Sequence, residues 1–203
     1  MEYALAANGN FWSLQGEGHL RGQQMVFVRL AGCSVGCPQC DTNYKVVRKV
    51  SSESIVDEAD QLTSHRLREK WVWITGGEPY DRDLHDLIQS FRSRGYSIAA
   101  ATSGVHRAVE PVDWLSVSPH HYTIVQRFGQ EIKLCEGLNG LDPNRWVAEN
   151  PDDSIDFLLR YVQPLSDENH QEDKDSLVRC MAFLARNPNW SLSRQDHHVW
   201  ELP

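Results

Sequence analysis

Met25-Val26-Phe27-Val28-Arg29-Leu30-Ala31-Gly32-Cys33-Ser34-Val35-Gly36-Cys37-Pro38-Gln39-Cys40 runs from a β-branched and aromatic stretch straight into three cysteines. The first six residues predict a strand. The remainder, broken by Gly32, Gly36 and Pro38, predicts a loop. The pattern recurs downstream. Trp71–Thr75 predicts a second strand that ends in Gly76-Gly77-Glu78-Pro79, and Tyr96–Ala101 predicts a third that ends in Thr102-Ser103-Gly104.

Helices are expected between these strands. Ser51 or Ser52 can cap a helix carrying Ile55, Val56, Ala59 and Leu62 on one face. Leu84, Leu87, Ile88 and Phe91 form a second helical stripe, closed by Gly95. Further strands are expected at Trp114–Val117, Glu131–Cys135 and Phe157–Val162, with a last one near Trp190–Ser193. The segment 136–150 reads as irregular with one short helix. A final helix over Asp173–Arg186 is expected to turn Leu177, Val178, Met181 and Leu184 inward.

Alternation of β and α elements predicts a mainly parallel sheet. At 203 residues the chain is shorter than the ~250 typical of an eight-fold barrel. The expectation is a single domain over 1–203: an α/β fold, a partial, open (β/α) barrel with about six parallel strands and few helices. Loops after strand C-termini carry the chemistry in such folds, and the three punctuated loops all fall there.

Composition narrows the function class. A net charge of -8 argues against a nucleic-acid partner, which calls for a basic footprint. No run approaches the ~20 apolar residues of a membrane span, and the start Met1-Glu2-Tyr3-Ala4-Leu5 lacks a secretory pattern. A cytoplasmic location without membrane association is expected. Five cysteines there fit ligands or buried thiols better than disulfides. The isolated pair, Cys135 and Cys180, reads as small buried apolar residues.

Cys33, Cys37 and Cys40 differ. Three soft thiolates on one short loop can hold three irons of a [4Fe–4S] cubane and leave the fourth open to a small molecule. A structural zinc site wants four ligands, and the next candidates are His65 and Cys135. Zinc and a chance trio of buried thiols stay as the weaker alternatives.

The C-x3-C-x2-C loop together with Gly76-Gly77-Glu78-Pro79 resembles the radical S-adenosylmethionine superfamily. Further segments resemble its 7-carboxy-7-deazaguanine synthase family, which serves queuosine and other 7-deazapurine biosynthesis. They are Phe11-Trp12-Ser13-Leu14-Gln15-Gly16-Glu17-Gly18, Cys40-Asp41-Thr42, Ala101-Thr102-Ser103-Gly104, Ser118-Pro119, Glu131-Ile132-Lys133, Gln163-Pro164 and the tail Ser191–His198 ending at Pro203. The resemblance implies a lyase that converts 6-carboxy-5,6,7,8-tetrahydropterin to 7-carboxy-7-deazaguanine with loss of ammonia. Its implied cofactors are a [4Fe–4S] cluster, S-adenosyl-L-methionine and Mg²⁺.

Site residues follow from the same resemblance. Substrate contacts are Leu14, Gln15, Gly16, Arg29, Thr102 and Pro203, where the N-terminal segment and C-terminal tail meet the pterin. Arg29, Thr42 and His197 are the expected catalytic side chains, Thr42 as the Mg²⁺ ligand. Cofactor contacts are Gln39, Cys40, Asp41, Gly76, Gly77, Glu78, Gly104, Ser118, Pro119, His120 and Gln163, Pro164, Leu165 and Ser166. Independent chemistry supports some of these: the Arg29 fork suits a carboxylate, and a hydroxyl suits a hard cation. A reducing electron donor such as flavodoxin and a homodimer are also implied.

Three positions depart from the family pattern. Gln39 stands where an aromatic residue is usual. His120 replaces a lysine with a group that titrates near neutrality. Asp196 stands where a hydroxyl is expected. Two other functions compete with the lyase: an activase that makes a glycyl radical on a partner protein, and a non-enzymatic metal-binding module.

Overall fold

In a computed structural model, residues 1–38, 40, 43–63, 69–166 and 171–202 are described. Among them the strands form one nine-stranded sheet in the order β3-β1-β2-β4-β5-β6-β7-β8-β9. Its strands are β1 Glu2–Leu14, β2 Gln24–Leu30, β3 Arg48–Ser51, β4 Trp71–Gly76, β5 Ser97–Thr102, β6 Trp114–Val117, β7 Phe128–Glu136, β8 Asp156–Pro164 and β9 Ser191–Leu192. Every pairing from β2 through β9 is parallel. β1 and β3 are antiparallel additions at one side, and β3 and β9 are open edges. The expected partial, open α/β barrel is therefore present, with seven parallel strands counting the two-residue β9 and an antiparallel pair that the sequence reading omitted.

Strand alternation sorts the two faces. In β2, Val26, Val28 and Leu30 join the outer core with Val72, Ile74, Ile98 and Ala100. Over this face lie α1 Ser52–Thr63 and α2 His85–Ser93. They bury Ile55, Val56 and Ala59 and then Leu87, Ile88 and Phe91, the expected stripes. Met25, Phe27, Trp73 and Ala99 point to the inner face, where Phe11, Leu20, Trp71 and Trp114 pack against them. The aromatic layer plugs the N-terminal half of the inner face, so space for a ligand remains toward the strand C-termini.

α3 Pro143–Glu149 and one 3-10 turn, Leu138–Gly140, occupy the segment expected to be irregular with one short helix. α4 Lys174–Leu184 corrects one expectation. Val178 and Met181 are 66% and 56% exposed, while Ser176, Cys180 and Phe183 face inward. Glu136, at the end of β7, accepts from Ser176 Oγ at 2.6 Å and Arg179 Nε at 2.7 Å. Those bonds set the rotation of α4, and the small Ser176 and Cys180 let the helix approach the sheet. No helix among the described residues is long and apolar enough to cross a membrane.

Candidate active site

The cysteine loop and the glycine doublet are built against each other. β2 and β4 end in register, Leu30 opposite Gly76, and Gly77 N donates to Leu30 O at 2.8 Å. A Cβ on Gly77 would lie 1.7 Å from Gly32 O. Gly76 has φ +114°, and a Cβ there would lie 2.1 Å from Leu30 O. The doublet is glycine because two backbones touch at the root of the cysteine loop.

Cys33, Cys37 and Cys40, none of them in a disulfide, line one cavity of about 440 Å³, a size ordinary for a cofactor or small-molecule site. Among the described residues no three His, Cys, Asp or Glu side chains converge into a metal-binding group. Three thiols facing one cavity, none of them in a disulfide, nevertheless supply the donor set that an iron–sulfur cluster with one open iron requires. His120 Nδ1 lies 2.7 Å from Cys37 Sγ, and Asn139 Nδ2 donates to it at 3.3 Å. Burial pushes the Cys37 thiol above its ordinary pKa, offset in part by the Asn139 hydrogen bond.

Glu78 lines the cavity and organises its floor. Its carboxylate accepts from Thr102 Oγ1 at 2.7 Å, Ser103 N at 2.8 Å and Ser103 Oγ at 2.6 Å. It also caps the turn Pro79–Asp81 through Tyr80 N. Glu78→Gln would set an amide N–H against one of these donors. The expected cost is about 2 kcal/mol, or roughly 4–8 °C in Tm, read in a thermal melt.

The facing wall is polar. Glu17, in the loop after β1, pairs with Lys133 of β7. It also accepts from Gln163 Nε2 at 3.1 Å and Gln195 Nε2 at 3.2 Å. Burial alone would raise the Glu17 pKa, but the charges of Lys133 and His197 and the bonds from Lys133 and Gln163 hold it at about 2. Lys133 is raised: its burial works against the charged form, and Glu17 and Glu131 outweigh that. Ser193 Oγ donates to Gln163 Oε1 at 2.7 Å and accepts from Gly18 N at 3.1 Å. Asp196 N donates to Gly16 O at 3.0 Å, and α5 Asp196–Val199 follows.

Of the residues singled out from the sequence, the cavity is lined by the three cysteines, Gly76, Gly77, Glu78, Thr102, Ser118, His120, Gln163, Leu165 and Ser166. Others lie behind the lining. Gly104 and Pro119 are buried in the loops after β5 and β6, and Pro164 closes β8. Leu14 pairs with Gln24 at the end of β1, and Gln15 holds Glu17 N through its own Oε1. Gly16 sits under His197, where a Cβ would lie 2.7 Å from the His197 N. Arg29 lies beside Thr75 on the inner face, its guanidinium 4.6 Å from the Phe11 ring centroid. Gln39, Asp41, Thr42 and Pro203 lie outside the described residues, as do His65 and His170.

Sequence reading quoted Glu17, Ser103, Gln195 and His198 within its segments but gave them no role, and all four line the cavity. It also read Cys135 as a buried apolar residue. Cys135 is only partly buried and borders the cavity, with Gln163 Nε2 at 3.7 Å from its sulfur. Strand alternation through Glu131, Lys133 and Cys135 was the signal that could have placed it on the inner face.

No protein-family model matches the chain. Relatives at full length do. The chain is 30% identical to the 7-carboxy-7-deazaguanine synthase of Caulobacter vibrioides, covering 95% of this chain and 96% of that one. It is 30% identical to the synthase of Escherichia coli K12, covering 97% of each. The chain belongs to the 7-carboxy-7-deazaguanine synthase family. Its fold agrees: the crystal structure of QueE from Escherichia coli superposes with a TM-score of 0.71 at 28% identity, covering 96% of this chain and 94% of that one. Of the two departures from the 7-carboxy-7-deazaguanine synthase family pattern that fall on described residues, His120 and Asp196, His120 lies against Cys37.

Proposed function

We propose that this chain is a radical S-adenosylmethionine lyase that converts 6-carboxy-5,6,7,8-tetrahydropterin to 7-carboxy-7-deazaguanine and releases ammonia. One observation carries the reading: the three cysteine thiols and the glycine doublet open on the same cavity as the polar wall of Glu17, Gln163 and Gln195. Cys33, Cys37 and Cys40 would hold the [4Fe–4S] cluster. The cluster and S-adenosylmethionine, when bound, supply the hydrogen-abstracting chemistry.

The chain's own residues then bind and orient. Gly76 and Gly77, packed by their bare side against the root of the cysteine loop, line the cavity where the cofactor's methionine end would bind. Thr102, anchored by Glu78, presents a fixed hydroxyl at the cavity floor. Glu17, held ionised by Lys133 behind it, presents a carboxylate in the cavity wall toward a hydrogen-bonding ligand. Arg29 is assigned to the substrate carboxylate, Thr42 to Mg²⁺, and the C-terminal Pro203 to the pterin edge, all by family resemblance. His197 is assigned to the substrate side. A flavodoxin-type donor, a homodimer and a cytosolic location belong to the same reading.

Anaerobic reconstitution followed by incubation with reductant, S-adenosylmethionine, Mg²⁺ and the carboxylated pterin tests it. Mass spectrometry should detect 7-carboxy-7-deazaguanine. A colourless, zinc-loaded protein would favour a metal-binding module instead. A brown, cluster-loaded protein inert to the pterin would favour an activase.

A further inference from the structure

The turn after the glycine doublet makes contacts that the cavity does not explain. Ser34 follows Cys33 directly, and its backbone N–H donates to Asp81 Oδ2 at 2.7 Å. Its hydroxyl donates to Asp81 Oδ1 at 2.5 Å. His106 Nε2 lies 2.9 Å from the same Oδ1. On the other side of Cys33, Arg82 Nη2 donates to Gly32 O at 3.4 Å. The Asp81 side chain is 17% exposed, although the contact lies near the surface.

A serine, a histidine and an aspartate together invite comparison with a nucleophilic triad. The geometry excludes it, because the Ser34 hydroxyl donates to the carboxylate and a single histidine nitrogen faces both partners. The trio works as a latch. Within five residues, 78–82, one turn grips the Thr102-Ser103 loop through Glu78 and both flanks of Cys33 through Asp81 and Arg82. Gly77, which packs on Gly32, begins the same turn.

We propose that Asp81 is a positioning residue that fixes the register of Cys33 against the Gly76-Gly77 backbone, so that cluster and S-adenosylmethionine meet at a set separation. The proposal rests on the function proposed above. Asp81 touches neither group; it acts through the Ser34 backbone. Losing a charge-assisted hydrogen bond of this kind is worth about one to two orders of magnitude in a local opening equilibrium.

Two measurements on Asp81→Ala test the proposal. In cluster-free protein, hydrogen exchange over residues 33–38 should quicken about tenfold or more, with little change in exchange over α2. In reconstituted protein, iron and sulfide content should match the unmodified chain, while KM for S-adenosylmethionine rises about tenfold. The electron paramagnetic response of the reduced cluster to added S-adenosylmethionine should weaken in step. Ser34→Ala, which keeps the backbone bond, should give a smaller shift, and Ser34→Thr should restore the original behaviour.

Unchanged exchange in Asp81→Ala overturns the latch. Faster exchange with unchanged KM and spectrum overturns the positioning role, as does loss of cluster assembly in both Asp81→Ala and Ser34→Ala. An unmodified protein that assembles no cluster would instead strike the function proposed above, while the exchange measurement still reports on the latch.

Discussion

Gly77→Ala is expected to abolish S-adenosylmethionine cleavage as completely as Cys37→Ala, with at least a ~100-fold loss of 5′-deoxyadenosine formation. The added methyl would sit 1.7 Å from Gly32 O. That is backbone against backbone, with no flexible side chain to give way. Relief requires the glycine-doublet loop and the cysteine loop to part by more than an ångström. A displacement of that size between reacting groups costs about two orders of magnitude in rate. The fold itself should survive with an overpacking penalty of about 1–3 kcal/mol, so far-ultraviolet dichroism should stay near that of the unmodified chain. Cleavage within tenfold of the unmodified rate would show that the two loops need not touch.

Lys133→Ala should destabilise the protein by about 3–5 kcal/mol, the cost of leaving a buried charge without its partner. Lys133 is 5% exposed and Glu17 20%, and they pair in the cavity wall. Denaturant unfolding measures the loss. The double variant Lys133→Met with Glu17→Gln should recover much of it, because neither charge is then buried.

The same pair sets a pH dependence. Folding depresses the Glu17 pKa from an ordinary 4.5 to about 2, so the folded state binds fewer protons there than the unfolded chain. Its stabilising contribution is complete above the unfolded value. It declines as pH falls from about 5 toward 2 and is lost below the folded value. Stability that stays flat over that range in the unmodified chain, or falls equally in Glu17→Gln, would count against the assignment.

What could be read from sequence depended on how local the deciding contacts are. The Leu84-Leu87-Ile88-Phe91 stripe and its Gly95 terminator are local, and α2 follows them, with Gly95 at φ +77°. The strand entering Cys33 is likewise local. β1 escaped because its alternation breaks at Asn8-Gly9-Asn10, where Asn8 has φ 54° and the pairing register slips between Leu5 and Asn10. α4 has two candidate faces, and the choice depends on Glu136, 40 positions before Ser176.

The candidate site divides the same way. Cysteine spacing and the glycine doublet lie within short motifs, so they could be recognised. Glu17 and Lys133 are 116 positions apart. Neither residue alone differs from an ordinary surface charge until the sheet curls and brings the post-β1 loop over β7. Ser34 and Asp81, 47 positions apart, are hidden for the same reason.

The seam between the two ends of the chain bears on how the protein is made. Gly18 meets Ser193 across 175 positions, and Arg21 reaches Asp196 over the same span. Such contacts carry a large loop-closure entropy and come late in folding. On a ribosome, the ligand chamber would lack a side until residues near 196 had cleared the exit tunnel. Under the proposed function, cluster loading would wait until those residues are made, and a nascent chain stalled earlier would display its thiols without the enclosure that shields them.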